Sequence, residues 1–525
     1  MEDSSRISLE IGKTYAQQEK FDLAVEQFKK ICLCESDNEE AYFELGKAYY
    51  LQNKFLGAIE ALKEVGRVNP GNINSQILLA KSYQALGENN LAAQILKNAA
   101  NIDIIDDRVH TELFEFFRAN KMYDLAIREY EKVSNDGANK MMLMDLLQLY
   151  NFQGQYDKIA KKVPSLSADP SWQSPYLQNR LLNELEISQR KTILASKPRI
   201  LLVTLTNRCN LNCYMCGRGN TDWEIAPKIT EEISGLFPYL ELITWQGGEV
   251  FLAKSFNRLF EKTFGLEYLK QIIITNALLI NEDWAEKIAR RNNVGLTISI
   301  DSVDKKTYEY IRRGANFEKL TRNLKMINKA RKRHGSDMTT TLRCTIMKAN
   351  HRELERFIEF ARDFEFNVVQ MAPISSDGYD PENIFNNKDT DTLRYIAETT
   401  PKIRELADKY KIKLLDWIPV PEGSDNHQQK AQETKDAPGP IETKKPVCFR
   451  PWKQIAMNVK GKIFPECLCS EPIGDAFIDS LADVWNNDKM QIYRKGLARH
   501  QYSGWCNPDC VSGTIPPEHL KFTYI

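Results

Sequence analysis

The sequence has no net charge. Its 71 basic and 71 acidic side chains cancel, so neither nucleic acid nor an anionic membrane is expected as a partner. It has no long hydrophobic run either. "ILLVTL" is among the longest and falls far short of a bilayer span. The first residues, "MEDSSRISLE", lack the apolar region of a secretory signal, so a cytoplasmic location is expected. Histidine is scarce: His110, His334, His351, His427, His500 and His519 are scattered without ligand spacing, and solvent-facing or capping roles are expected for them. Cysteine is the exception, with eleven in 525 residues. In a reducing compartment that number argues against a disulfide framework and for metal or catalytic thiols. Three lie within 209–216 and five after residue 447. Cys32, Cys34 and Cys344 are isolated and read as small buried hydrophobes.

A chain this long exceeds one core, and about two to four domains are expected. The first part repeats with a period of 34. Ile11-Gly12, Leu45-Gly46, Leu79-Ala80 and Leu113-Phe114 keep that spacing, as do Tyr15, Tyr49, Tyr83 and Phe117. Ala24, Ala58, Ala92 and Ala126 follow, then Phe28, Leu62, Leu96 and Tyr130, with Pro70 closing the second unit. A small residue recurring where two helices approach resembles the tetratricopeptide repeat. A slipped fifth copy, "LLQLYNFQGQYDKIAKKV", is read as the cap of an α-solenoid over 1–165 whose concave face suits a peptide or protein partner.

After a helical connector, 166–196, strand-like and helical segments alternate. The strands are "RILLVTLT", "LITWQGG", "QIIITNA", "GLTISID", "TTTLRCTIM" and "NVVQMAP". Six alternations over 197–421 predict a parallel sheet, doubly wound or curled into a partial barrel, with its site at the C-terminal strand ends. Residues 422–445 are polar and aperiodic and read as a linker. A small cysteine-rich α+β unit, 446–525, follows.

The motif "CNLNCYMC" directly follows the first strand and supplies Cys209, Cys213 and Cys216. A structural zinc ion wants four ligands, and the next cysteine, Cys344, falls in a later strand. A [4Fe–4S] cluster held by three thiolates would keep one iron open for a ligand that is not protein. This C-x3-C-x2-C spacing, ahead of such a domain, resembles the radical S-adenosylmethionine (SAM) superfamily. The resemblance implies a partial (βα)6 barrel holding a [4Fe–4S] cluster and SAM. It places Gly247, Gly248 and Glu249 near the methionyl amino group, Thr275 and Asn276 near SAM, Ser299 at the ribose and Met215 near the adenine. It further implies that the reduced cluster cleaves SAM, that a hydrogen atom is then taken from substrate, and that a flavodoxin or ferredoxin supplies the electron. No catalytic residue beyond the cluster and SAM site is assigned.

The last cysteines, Cys448, Cys467, Cys469, Cys506 and Cys510, flank "IGDAFIDSLADVWNN". This pattern resembles the SPASM or twitch extension of radical SAM enzymes. A full SPASM unit holds two auxiliary clusters with more cysteines than the five present, so one auxiliary [4Fe–4S] cluster is expected. Its ligands are read as Cys448, Cys467, Cys506 and Cys510, with Cys469 the rival of Cys467. "PECLC" and the final C-x3-C depart from the family pattern, and a four-cysteine zinc ribbon stays open. Arg312-Arg313-Gly314 follows the fourth strand at the site end and reads as a solvated helix end, with contact to a substrate carboxylate as the alternative, and Asp301 and Arg343 point toward the site by topology without an assigned role.

The expected function is oxidation or crosslinking of a C–H position in a peptide or protein recruited by the repeats. Two alternatives stand beside it: a radical SAM dehydrogenase or epimerase acting on a sugar or other metabolite, and a tetratricopeptide adaptor whose metal domain has lost its chemistry.

Overall fold

A computed structural model describes residues 2–99, 107–133, 140–217, 222–374, 380–416, 448–466 and 469–499. The chain divides into two compact units, one holding Met1–Gln153 and the other beginning at Gly154.

The first unit is helical. Glu2–Gln17 packs on Phe21–Cys34, Glu39–Leu51 on Phe55–Val68, Ile73–Ala85 on Asn89–Ala99, and Asp107–Ala119 on Tyr123–Tyr130. The 34-residue period has a direct physical basis. Ala24, Ala58, Ala92 and Ala126 are all 0% exposed, and a Cβ on Gly12 or Gly46 would lie 2.5 or 2.7 Å from Phe28 or Leu62. Small residues are therefore required where paired helices touch. Asn38 and Asn72 each cap the following helix, accepting from the amides of Ala41 and Ser75.

Three readings change here. Helix Lys140–Phe152 belongs to this unit, whereas Tyr156–Ala168 falls in the second and packs on Pro175–Ser188. The slipped fifth copy is thus divided, and the boundary falls before 165. Cys34 is exposed, at the last residue of its helix. His110 is buried, with Nδ1 2.9 Å from Glu129 Oε2, because a carboxylate on the neighbouring helix satisfies it.

The second unit carries a sheet in the order β10-β9-β8-β1-β2-β3-β4-β5-β6-β7. Its strands are β1 (Ile200–Thr204), β2 (Leu242–Gln246), β3 (Lys270–Thr275), β4 (Val294–Ser299), β5 (Thr340–Ile346), β6 (Val368–Pro373), β7 (Lys413–Asp416), β8 (Gln454–Met457), β9 (Lys462–Phe464) and β10 (Gly474–Asp475). From β1 to β7 all pairings are parallel. Every residue of β1 is buried, as expected for a parallel strand covered on both faces. Helices such as Glu282–Ala289 and Leu354–Asp363 alternate with the strands and present Ala285, Ile288, Phe357 and Ile358 to the core.

The six strands read from the sequence are present, and β7 is an addition. The cysteine-rich unit also completes the sheet: β8 runs parallel to β1, pairing Ile200 with Gln454, and β9 and β10 follow antiparallel. Cys467, Cys506 and Cys510, the linker 422–445, and His427, His500 and His519 lie outside the described residues.

The connector is structural core. Helix Pro175–Ser188 buries Asn179, Arg180, Asn183, Glu184 and Glu186. Asn183 donates to the carbonyl of Trp452, and the Trp452 and Trp485 indoles donate to the carbonyls of Lys191 and Ser196, each at 2.7 Å. Arg494 reaches the carbonyl of Thr192 at 2.7 Å. Segment 175–196 is therefore fastened to the C-terminal helices Arg450–Lys453, Leu481–Asn486 and Asp488–Ala498. Among the described residues, no helix is long and apolar enough to cross a membrane.

Candidate functional site

A cavity of about 230 Å³ opens at the C-terminal ends of the parallel strands. It is lined by Cys209, Cys213 and Cys216 from the loop after β1, Gly247 and Gly248 after β2, and Thr275 and Asn276 at the end of β3. Ser299 ends β4 and Asp301 follows it, Arg343 and Thr345 come from β5, and Met215 and Arg312 also line the wall. The registry explains the company: Ser299 sits beside Arg343 in the β4–β5 pairing.

The cysteine loop is held at its base by backbone contacts. Thr206 O accepts from Gly248 N and Arg208 O from Glu249 N, both at 2.8 Å. Asn207 Oδ1 accepts from Trp223 N at 2.7 Å, and Arg208 is paired with Glu224. Asn276 Nδ2 then reaches Asn210 Oδ1 at 2.9 Å and Cys209 Sγ at 3.9 Å. The second half of the loop is fastened to the segment after the fourth strand. Asn212 N donates to Arg313 O at 2.9 Å and Tyr214 N to Ile311 O at 2.8 Å.

Glu249 takes a different place from the expected one. It is 1% exposed, does not line the cavity, and faces its supporting strands. Its carboxylate accepts from Thr275 Oγ1 at 2.7 Å and Asn276 N at 2.9 Å, which fixes two residues that do line it. Burial outweighs these hydrogen bonds and pushes Glu249 up to about 7. The sign follows. The folded state holds the proton more tightly than the unfolded chain, so stability is fully present below pH 4.5 and falls as pH rises toward 7. The shift corresponds to about 3 kcal/mol. We predict that urea midpoints of the parent protein decline over this interval and that Glu249→Gln flattens the decline. Equal slopes in the two proteins would contradict the assignment.

Arg312 was expected at a solvated helix end. It is instead 8% exposed, and its Nη2 lies 2.7 Å from Oδ2 of Asp301, itself 1% exposed. The reason is tertiary: the chain after helix Lys305–Ile311 turns back against the cysteine loop. Burial pushes the Cys213 thiol up, and the Arg312 charge opposes this. Neither Arg312 nor Thr345 was assigned to the site from sequence. An arginine following a strand that ends in Ser-Ile-Asp was the available signal, but only the fold shows that it faces a thiol. Cys344 is fully buried, as read.

The donor chemistry fits an iron–sulfur cluster with a small-molecule ligand. Three thiols from one loop share a cavity whose other walls offer glycine backbone, three hydroxyls, an amide, a carboxylate and two guanidinium groups. Among the described residues, no three Cys, His, Asp or Glu side chains stand ready-made as a cage for one ion. Residues 203–361 match the Radical SAM superfamily. The chain carries a radical SAM domain. Residues 448–511 match SPASM, an iron–sulfur cluster-binding domain.

A radical SAM domain implies a [4Fe–4S] cluster and SAM, and a SPASM domain implies auxiliary iron–sulfur clusters. The GTP 3',8-cyclase of Clostridium botulinum (strain Langeland) is 22% identical over 332 residues, covering 58% of this chain and 92% of that protein. The Synechocystis enzyme of the same name is 26% identical over 198 residues, covering 36% and 58%. Among solved structures, Streptococcus suis SuiB aligns with a TM-score of 0.45 and 17% identity, over 70% of this chain and 85% of that one. The anaerobic sulfatase-maturating enzyme anSMEcpe with bound AdoMet aligns at 0.41 and 15%, over 57% and 80%. The GTP 3',8-cyclases are enzymes, and residues 203–361 of this chain carry the radical SAM domain.

Cys448 and Cys469 of the SPASM domain are half-buried and pack against the core of the second unit. Arg450 is buried nearby in sequence, with Gln454 at 2.5 Å and Glu466 at 3.4 Å.

Proposed function

We propose that Cys209, Cys213 and Cys216 hold a [4Fe–4S] cluster whose open iron takes SAM, and that the enzyme oxidises or crosslinks a C–H position of a peptide or protein. The observation that carries the SAM assignment is the gathering of these thiols with Gly247, Gly248, Thr275, Asn276, Ser299 and Met215 around one cavity. When bound, the cluster and SAM supply reductive cleavage of a C–S bond and hydrogen-atom abstraction from substrate.

The protein's share is placement. The glycine pair brings the strand end against the cysteine loop. Glu249 fixes Thr275 and Asn276, and the buried strand ends screen the site from water. Cys448, Cys506, Cys510 and either Cys467 or Cys469 hold an auxiliary cluster, and a flavodoxin or ferredoxin delivers the electron. The 34-residue helix pairs form a tetratricopeptide solenoid that recruits the polypeptide, a reading supported by their recurring small contacts.

The curated relatives favour a second reading, since their names describe action on GTP. On that reading the substrate is a small molecule and the helical unit serves assembly alone. Deletion of residues 1–153 separates the two. A recruiting solenoid predicts that kcat/KM for a polypeptide substrate falls about tenfold or more, as loss of about 1.4 kcal/mol of binding requires, while substrate-free SAM cleavage persists. Unchanged turnover of the physiological substrate would favour the assembly role.

A further inference from the structure

The residues flanking Arg312 bracket those flanking Cys213. Tyr214 N donates to Ile311 O at 2.8 Å and Asn212 N to Arg313 O at 2.9 Å. Both backbone hydrogen bonds are donated by the cysteine loop, and they lie on either side of one residue pair, 213 opposite 312. The side chains follow the backbone: Arg312 Nη1 lies 3.9 Å from Cys213 Sγ. The other end of the guanidinium is fixed by Asp301 at 2.7 Å. Asp301 is itself locked, because its Oδ1 accepts from Thr345 N at 2.8 Å and its carbonyl accepts from Asn350 Nδ2 at 2.6 Å. An arginine held this way has little freedom to point elsewhere, and its planar fork suits two partners at once.

We propose that Arg312 is a positioning residue for Cys213: its guanidinium, held by Asp301, donates a charge-assisted hydrogen bond to the Cys213 sulfur and raises the reduction potential of the cluster bound there. The proposal rests on the cluster assignment above. Hydrogen bonds to the ligating sulfurs, net charge and exposure set the potentials of such clusters. Reduction adds one electron from the external donor and so adds one negative charge. A buried cation beside a ligating sulfur stabilises that form more than the oxidised one. Asp301 tempers the effect, since its carboxylate partly cancels the guanidinium charge.

The two partners therefore have opposite signs, which a merely structural role would not produce. Removing the cation makes reduction harder. Removing the anion exposes the cation and makes reduction easier.

The experiment is a redox titration of the anaerobically reconstituted full chain, followed by electron paramagnetic resonance, with iron content measured in parallel. Arg312→Gln is expected to keep its iron and to shift the midpoint negative by about 59 mV, which is a tenfold change in a one-electron equilibrium. Asp301→Asn is expected to shift it positive, and Arg312→Lys to stay near the parent. If Arg312→Gln loads no iron, a positive shift in Asp301→Asn with a parent-like Arg312→Lys still upholds the proposal. Shifts of the same sign in Arg312→Gln and Asp301→Asn overturn it. So does an unchanged midpoint in Arg312→Gln with a raised KM for SAM, which would give the arginine to the ligand instead. A parent protein without any cluster signal would sink the cluster assignment itself, a different outcome from a cluster whose midpoint ignores Arg312.

Discussion

Gly248→Ala is expected to disable the enzyme. A Cβ at this position would lie 2.3 Å from the carbonyl oxygens of both Asn207 and Arg208. Both are backbone atoms of the cysteine loop, so no side chain can swing aside. The hydrogen bonds from Gly248 N to Thr206 O and from Glu249 N to Arg208 O hold the loop at that distance. The substitution must push the loop outward or break both bonds. Overpacking of this kind costs about 3 kcal/mol. Displacing the thiols by about 1 Å is expected to lower SAM cleavage about 100-fold.

Gly235→Ala is the matched control. It lies in helix Pro227–Leu236, and nothing stands within 4 Å of its Cβ position. The same added methyl group should stabilise there by about 0.5–1 kcal/mol. Iron content, thermal midpoint and SAM cleavage of the two variants check the pair. Comparable behaviour would contradict the close packing of the glycine and cysteine loops.

Glu184→Ala is expected to cause the largest loss of stability in the second unit. Glu184 is 0% exposed, with its Oε1 2.5 Å from Arg199 Nη1 and 3.1 Å from Lys453 Nζ. Arg199 also pairs with Glu241 at 2.8 Å, and Arg180 lies 3.4 Å from the same carboxylate. Burial works against ionisation of Glu241, yet Arg199, Arg180 and Lys453 hold it down to about 2. Three cations therefore share two carboxylates beneath the sheet. Removing Glu184 leaves the Lys453 ammonium with its nearest counterion gone in a site that admits little water. Breaking a buried pair from one side costs about 3–5 kcal/mol. Lys453 adjoins β8, so the C-terminal strands should loosen first. Hydrogen exchange in Gln454–Met457 should rise well before exchange in β3 or β4. Uniform exchange across the sheet, or a loss under about 1 kcal/mol, would show that the charges are solvated.

The sequence shows the six parallel strands because each is a short β-branched run flanked by a helical period. It does not show β7, whose four residues, "KLLD", are only partly buried and so lack a two-face apolar signature. It cannot show β8 beside β1, a pairing across some 250 residues set by the fold alone. The helix Pro175–Ser188 misleads for the opposite reason. Its asparagines, glutamates and arginine look like a solvated face, and they are buried because partners at Ser196, Arg199, Glu241 and Trp452 satisfy them.

At the site, the cysteine spacing, the glycine pair and the strand-end hydroxyls were legible as residue types. What the glycines are for was not: their missing Cβ atoms make room for the cysteine loop. The contact of Arg312 with Cys213 was equally hidden, since the two lie 99 residues apart with β2, β3 and β4 between them.

The most direct test is anaerobic reconstitution of the full chain with iron and sulfide, followed by reduction with dithionite in the presence of SAM. The assignment predicts a brown protein with about eight irons, four per cluster, that releases 5′-deoxyadenosine. Replacing Cys209, Cys213 and Cys216 together by alanine should abolish that release and remove about half of the iron. A colourless protein that binds zinc and leaves SAM intact would contradict the account.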